Sequence, residues 1–116
     1  MDARLDPAML RAAWWTARSL RRVRRQLRRG VFADVRLSPP PALPERAVRG
    51  VLAVLRRTSP TCLERALVLQ RWFAAHGSAR DIVIGVVAPA DGFAAHAWLD
   101  GEDEAGPYSE LTRLPA

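Results

Sequence analysis

Apolar positions fall at helical spacing over the first half of the chain and in short unbroken runs near its end. From Asp6 to Gly30, Met9, Ala13, Thr16, Leu20, Val23 and Leu27 recur every three or four residues, with Leu10, Trp14 and Ala17 widening the stripe. This predicts an amphipathic helix, opened by Asp6 as N-cap with Pro7 at the first helical position and closed by Gly30. Residues 31–37 predict a short extended segment. Ser38-Pro39-Pro40-Pro41-Ala42-Leu43-Pro44 is too rich in proline for helix and predicts a stiff linker. A second helix follows from Glu45 to Arg57, with Val48, Val51, Leu52 and Leu55 on one face, and Thr58-Ser59-Pro60 breaks it.

Thr61 to Gly77 has a different character. Leu63, Ala66, Leu67, Val68, Leu69, Trp72, Phe73 and Ala74 leave only a narrow polar stripe of Glu64, Arg65 and Arg71, so this helix is expected to be wrapped by core. Thr61 followed three residues later by Glu64 has the form of a capping box, and Gly77 that of the C′ stop. Asp81 to Val87 is β-branched and almost continuously apolar, the pattern of a buried strand. Ala88 to Gly92 is a turn cluster. Phe93 to Leu99 predicts a second strand, Asp100 to Pro107 an acidic hairpin loop, and Tyr108 to Leu114 a third strand. Three helices followed by an antiparallel meander make the class α+β: a central cysteine-bearing helix packed on a small antiparallel sheet, preceded by a basic N-terminal helix.

Charge divides the chain. Its net +6 arises from residues 1–29, where nine arginines face only Asp2 and Asp6, while the remainder is close to neutral. The basic face carries Arg11, Arg18, Arg21, Arg22, Arg25, Arg28 and Arg29, a surface suited to nucleic acid, anionic lipid or an acidic peptide or protein, or simply to solvent. The expected organisation is therefore a basic helical arm with its extended segment over 1–37, a linker over 38–44 and a core over 45–116. A single cysteine makes no internal disulfide, and no apolar run approaches the roughly 20 residues of a membrane span. Arginines interrupt the N-terminus throughout, unlike a signal peptide, so the expected compartment is the cytoplasm. No group of side chains at metal-ligand spacing is present, and no cofactor is expected.

The candidate chemistry lies in one cysteine and one of two histidines. Cys62 falls at the first position of the capped helix, where unpaired N–H groups and the helix dipole stabilise negative charge and hence a nucleophilic thiolate; the alternative is a buried cysteine acting as a small hydrophobe. His76 is fourteen residues up the same helix, about 21 Å away at 1.5 Å per residue, and is expected to serve the free carbonyls of the last turn. His96, flanked by Ala94, Ala95 and Ala97, is the remaining base for a thiolate–imidazolium pair. Trp98 either walls the cleft beside it or belongs to the core.

The run Cys62-Leu63-Glu64-Arg65-Ala66-Leu67-Val68-Leu69, Gly77, Ile82-Val83-Ile84-Gly85-Val86, Phe93-Ala94-Ala95-His96-Ala97-Trp98-Leu99 and Tyr108 to Pro115 together resemble the transglutaminase-like leader peptidases of lasso-peptide biosynthesis. The likeness covers about residues 44–116 and is to the small stand-alone form that works with a separate leader-binding protein. It implies a papain-like cysteine-protease fold with Cys62 and His96 catalytic, no metal, and a precursor (leader) peptide, a leader-binding recognition protein and a macrolactam-forming cyclase as partners. In fused members the third catalytic residue is an Asp after the His; here Pro107, Tyr108 and Ser109 stand in that region.

For the acid that orients His96, Asp100 lies roughly 13 Å away along a regular strand and Asp103 falls at the tip of the loop. Folding the ribbon about that loop sets residue 110 or 111 opposite His96, which selects Glu110. Arg18, Arg22, Arg25 and Arg29 are expected to recruit an acidic surface of the leader or its binding protein. Two other readings stand beside this one: an arginine-rich nucleic-acid-binding module without catalysis, and a thiol acyltransferase or deamidase on the same fold.

Overall fold

The computed structural model describes residues 6–30, 34–87, 94–102 and 108–116. The turn cluster at 88–92, Phe93 and Asp103 lie outside the described residues. Helix α1 spans Pro7–Arg29; a 3₁₀ turn at Glu45–Ala47 leads into α2 (Val48–Thr58), and α3 follows at Cys62–Ala75. Strands β1 (Ile82–Val87), β2 (Ala94–Leu99) and β3 (Ser109–Leu114) form one antiparallel sheet. The α+β class read from the pattern is the one observed.

The helix ends are set by short-range chemistry. Asp6 accepts from the Ala8 amide and Pro7 opens α1. Ser59, at φ 47°, turns the chain out of α2 in the left-handed region. On α3 the capping box is complete: the Glu64 amide donates to Thr61 Oγ1 at 3.2 Å and the Thr61 amide donates to Glu64 Oε1 at 2.9 Å. At its other end Gly77, at φ 80°, lets the Gly77 and Ser78 amides turn back to the carbonyls of Ala74 and Phe73.

One apolar cluster joins all three helices and one face of the sheet. It runs from Ala12, Trp15, Leu20 and Val23 on α1 through Val51 and Leu55 on α2 to Ala66, Val68, Leu69 and Trp72 on α3, and on to Ile82, Ala97 and Leu99. The basic helix is thus packed into this core. Helices α1 and α2 cross so closely at Gly50 that a Cβ there would lie 2.2 Å from the Met9 carbonyl oxygen, a contact only glycine permits. The buried stripe of α1 is rotated from the expected one: Trp15 and Ala12 face inward, while Leu10, Trp14 and Ala17 are exposed. The reason is the chain after α1. The segment from Asp34 to Pro41 returns along the helix and is tied to it, with Gln26 bonded to both the carbonyl and the amide of Arg36 and the Trp15 indole N–H donating to the Ser38 carbonyl.

The sheet corrects the expected meander. Its order is β2-β1-β3, so β1 is central and β2 and β3 never pair. A near-continuous apolar strand gains most from neighbours on both sides, whereas the alanine-rich β2 and the polar β3 tolerate an edge. Along β3 a register shift opposite Ile84 and Gly85 inserts one extra residue, a β-bulge at Leu111.

Candidate functional site

The site begins with the register of β1 and β2. Gly85 pairs with His96 and Ile84 with Ala97, and the Asp100 amide donates to the Asp81 carbonyl. That bond fixes the phase of the ladder: alternate residues of β2 bond to β1, and the amides of Ala97 and Leu99 point outward along the free edge. The start of α3 meets this edge. Cys62, at the first position of the helix and half-buried, accepts the Ala97 N–H on its Sγ at 3.4 Å. One turn on, Arg65 pairs with Glu102, whose Oε1 accepts the Leu99 N–H at 3.0 Å. Cysteine and glutamate together satisfy two edge amides and hold helix and strand in register.

This contact bounds the distance from the thiol to the backbone of His96. The nitrogen of Ala97 is bonded to the carbonyl carbon of His96, so Cys62 Sγ lies within roughly 6 Å of His96 Cα by standard backbone dimensions. His96 is half-buried in the middle of β2. Its ring stacks on Trp98 at 5.7 Å between centroids and lies 5.4 Å from Tyr108. Trp98 is 6 % exposed. Its six-membered ring covers Gly85, where a Cβ would come within 2.7 Å of Trp98 Cη2 and 2.9 Å of Tyr108 Cβ. Gly85 and Tyr108 are therefore part of the histidine's surroundings, although the sequence assigns neither of them a role there. The signal for Gly85 was a lone glycine inside an apolar strand, which marks a close approach.

Glu110 does not stand where the hairpin pairing predicted. Both His96 and Glu110 pair with Gly85, from opposite sides, which sets their backbones two strand spacings apart, about 10 Å. The bulge brings Glu110 and Arg113 to one face of β3, where in a regular strand residues three apart point to opposite faces. The carboxylate is engaged there in a fork with Arg113, at 2.8 and 2.9 Å. The Arg113 hydrogen bond holds the Glu110 carboxyl below its ordinary range, and Glu110 in turn holds the guanidinium above its own, with Asp100 adding to the effect. Asp100 is itself bonded to Arg113 at 3.0 Å. His76 caps α3 as expected, with Nδ1 2.8 Å from the Trp72 carbonyl and Nε2 3.1 Å from that of Leu43.

Of the arginines expected to bind a partner, Arg18 and Arg22 line a cleft beside α1, while Arg25 and Arg29 are exposed outside it. Arg24, which is not among the arginines of the basic face expected from the pattern, pairs with Glu64 of the capping box at 3.4 Å and so links α1 to the start of the cysteine helix. Among the described residues no three His, Cys, Asp or Glu side chains form a group able to hold a metal ion, and no helix is long and apolar enough to cross a membrane.

The fold is thus an α+β protein with a thiol at a capped helix start, set against a histidine-bearing edge strand of an antiparallel sheet. The family model described as Transglutaminase-like superfamily matches residues 6–112, and the chain belongs to that superfamily, whose members are typically cysteine-dependent enzymes. Among curated proteins and solved structures none matches significantly.

Proposed function

We propose that this protein is a cysteine endopeptidase that removes the leader from a ribosomally made lasso-peptide precursor, working with a separate leader-binding protein and upstream of a macrolactam-forming cyclase. The observation that supports the catalytic part is the Ala97 amide on Cys62 Sγ, which holds the thiol within roughly 6 Å of the His96 backbone. The motifs around Cys62, His96 and Tyr108 that resemble the stand-alone leader peptidases support the substrate.

In this reading Cys62 Sγ attacks the scissile carbonyl while His96 takes up the thiol proton. The Cys62 N–H has no acceptor within its own helix and is free to donate to the oxyanion. Collapse of the tetrahedral intermediate expels the amine with the proton returned by His96, leaving a thioester. Water, deprotonated by His96, then hydrolyses it and releases the leader acid. Ala94 and Ala95 are exposed on the same strand, so an extended peptide has room to approach the thiol. Acyl transfer or deamidation would share the thioester and differ only in the group that consumes it or the amide that forms it.

The test is incubation of the purified protein with a precursor peptide and its leader-binding protein, read by mass spectrometry. Two fragments whose masses sum to that of the precursor plus one water support the peptidase. A precursor joined to an amine, or deamidated without chain cleavage, replaces it with the transferase reading. Cys62→Ala is expected to stop cleavage with an unchanged far-ultraviolet circular dichroism spectrum; retained cleavage removes Cys62 from the mechanism.

A further inference from the structure

The segment that returns along α1 leaves a cleft of about 600 Å³ between itself and the helix. This is the size of cavities that hold a few side chains or a small ligand. Pro39 and Pro41 form one side, and the Trp15 indole, buried and bonded to the Ser38 carbonyl, fastens that side to the helix. The Arg22 guanidinium donates to Ser38 Oγ at 3.2 Å, a second tie between the helix and the returning segment.

On the helix side stand Leu10 and Trp14, one turn apart, 56 % and 68 % exposed. They are two of the largest exposed apolar side chains among the described residues. Arg11, Arg18 and Arg22 line the same cleft, and no carboxylate among the described residues does. Arg11 and Arg18 are two turns apart and Arg18 and Arg22 one turn, so the three guanidinium groups follow the groove along one helix face.

We propose that this cleft is a docking groove for an acidic peptide segment that carries a leucine-like or aromatic side chain. Its apolar residue would enter between Trp14 and the prolines, and its carboxylates would meet Arg11, Arg18 and Arg22, for which bidentate guanidinium pairing is the strong geometry. A nucleic acid would instead follow the whole basic surface of α1, including Arg21, Arg25, Arg28 and Arg29, which lie outside the groove. A second copy of this chain is disfavoured because each copy would present a net charge of +6 to the other. The proposal is independent of the catalytic reading, since the groove is built by α1 and residues 38–41 without Cys62 or His96.

The experiment uses the full chain and a fluorescein-labelled synthetic peptide of alternating aspartate and leucine, followed by anisotropy. Its asparagine counterpart, oligothymidylate and phosphatidylglycerol vesicles serve as the other probes. Saturable binding of the acidic peptide, lost with the asparagine peptide and weakened by salt, is expected. Trp14→Ala is expected to weaken it about tenfold, as for an anchor residue in a pocket. Its side chain faces solvent, so the variant should fold, as circular dichroism will check. Combined Arg11→Gln, Arg18→Gln and Arg22→Gln should weaken binding further, while Arg25→Gln with Arg29→Gln should leave it unchanged. No saturable binding of the acidic peptide, equal affinity of the Trp14→Ala variant, or equal loss from the Arg25 and Arg29 pair would overturn the assignment. Tighter binding of oligothymidylate or vesicles than of the peptide would give the surface to nucleic acid or lipid.

Discussion

The amide of Ala97 donates to Cys62 Sγ across 35 residues of sequence, and this one bond joins the two halves of the candidate site. It exists because three local features coincide. The capping box starts α3 so that Cys62 is its first residue, the phase of the β1–β2 ladder turns the Ala97 amide outward, and Ala97 itself is small enough for the helix start to approach the strand. The bond holds Cys62 Sγ within roughly 6 Å of the His96 backbone.

His96 is expected to be required for turnover and dispensable for folding. His96→Gln should lower kcat by roughly two to four orders of magnitude, the range for loss of a general acid–base group. Its half-buried ring packs on Trp98 and Tyr108, so the thermal midpoint should fall only slightly. Progress curves with the precursor, together with a thermal melt, check both parts. A variant with near-wild-type kcat would show that the proton is handled elsewhere.

Thr61→Ala should cost about 1 kcal/mol of stability, the usual effect of losing an N-cap hydroxyl. The loss should exceed that of a surface threonine because Glu64 answers the cap from the other side and also meets Arg24. Since Cys62 follows the cap directly, cleavage should fall as well, while Thr61→Ser should restore both. Urea titration and steady-state rates on the same preparations distinguish this from a purely structural change, which would leave kcat per folded molecule constant.

Gly85→Ala tests the surface on which the histidine rests. The added methyl would meet Trp98 Cη2 at 2.7 Å and Tyr108 Cβ at 2.9 Å, so the indole must move, and with it the ring stacked on His96. Overpacking of this kind costs about 1–3 kcal/mol. The expected signature is a lower kcat with nearly unchanged KM, together with altered Trp98 fluorescence. Val83, on the same strand and face, serves as control: Val83→Ala should destabilise the protein with no comparable loss of kcat in the folded fraction.

Glu110→Gln is expected to be mild for activity, within a few-fold of wild type, because the carboxylate is engaged by Arg113 and its backbone lies about 10 Å from that of His96. The pairing has a pH dependence. The folded carboxyl titrates below its unfolded value, so the stabilisation is present above the ordinary carboxylate range and is lost as pH falls through the depressed folded value. The group is exposed, and the effect on stability should be small. Urea midpoints of wild type and Glu110→Gln should therefore converge at acid pH and differ only above it. A collapse of turnover in Glu110→Gln would restore it as the acid that orients His96.

How much could be read in advance differs from residue to residue. Both the capping box and the Gly77 stop lie within one helical turn of the groups they satisfy, so Thr61, Glu64 and Gly77 announced them. Fourteen residues of helix put His76 far from Cys62 by geometry alone, and His96 was left. Glu110 was chosen from an assumed hairpin between β2 and β3, and that inference failed because a loop's length does not say which edges meet. The apolarity of Ile82 to Val87 did mark β1 as a buried strand, but burial of a strand's faces does not say which of its edges are paired.

By itself, then, the sequence determined what depends on neighbours along the chain: the extents of the helices, their caps, the place of Cys62 at the start of α3, the β character of residues 82–87, and the concentration of positive charge in α1. Only the tertiary structure decided the order of the sheet, the bulge that gives Glu110 to Arg113, and which of Trp14 and Trp15 is buried. The physical reason is range. Caps and periodicity are satisfied within a few residues, whereas strand order and helix rotation are set by whichever long-range contacts bury the most apolar surface. Here those contacts are α3 on β2, α1 on α2 at Gly50, and the proline segment laid back along α1.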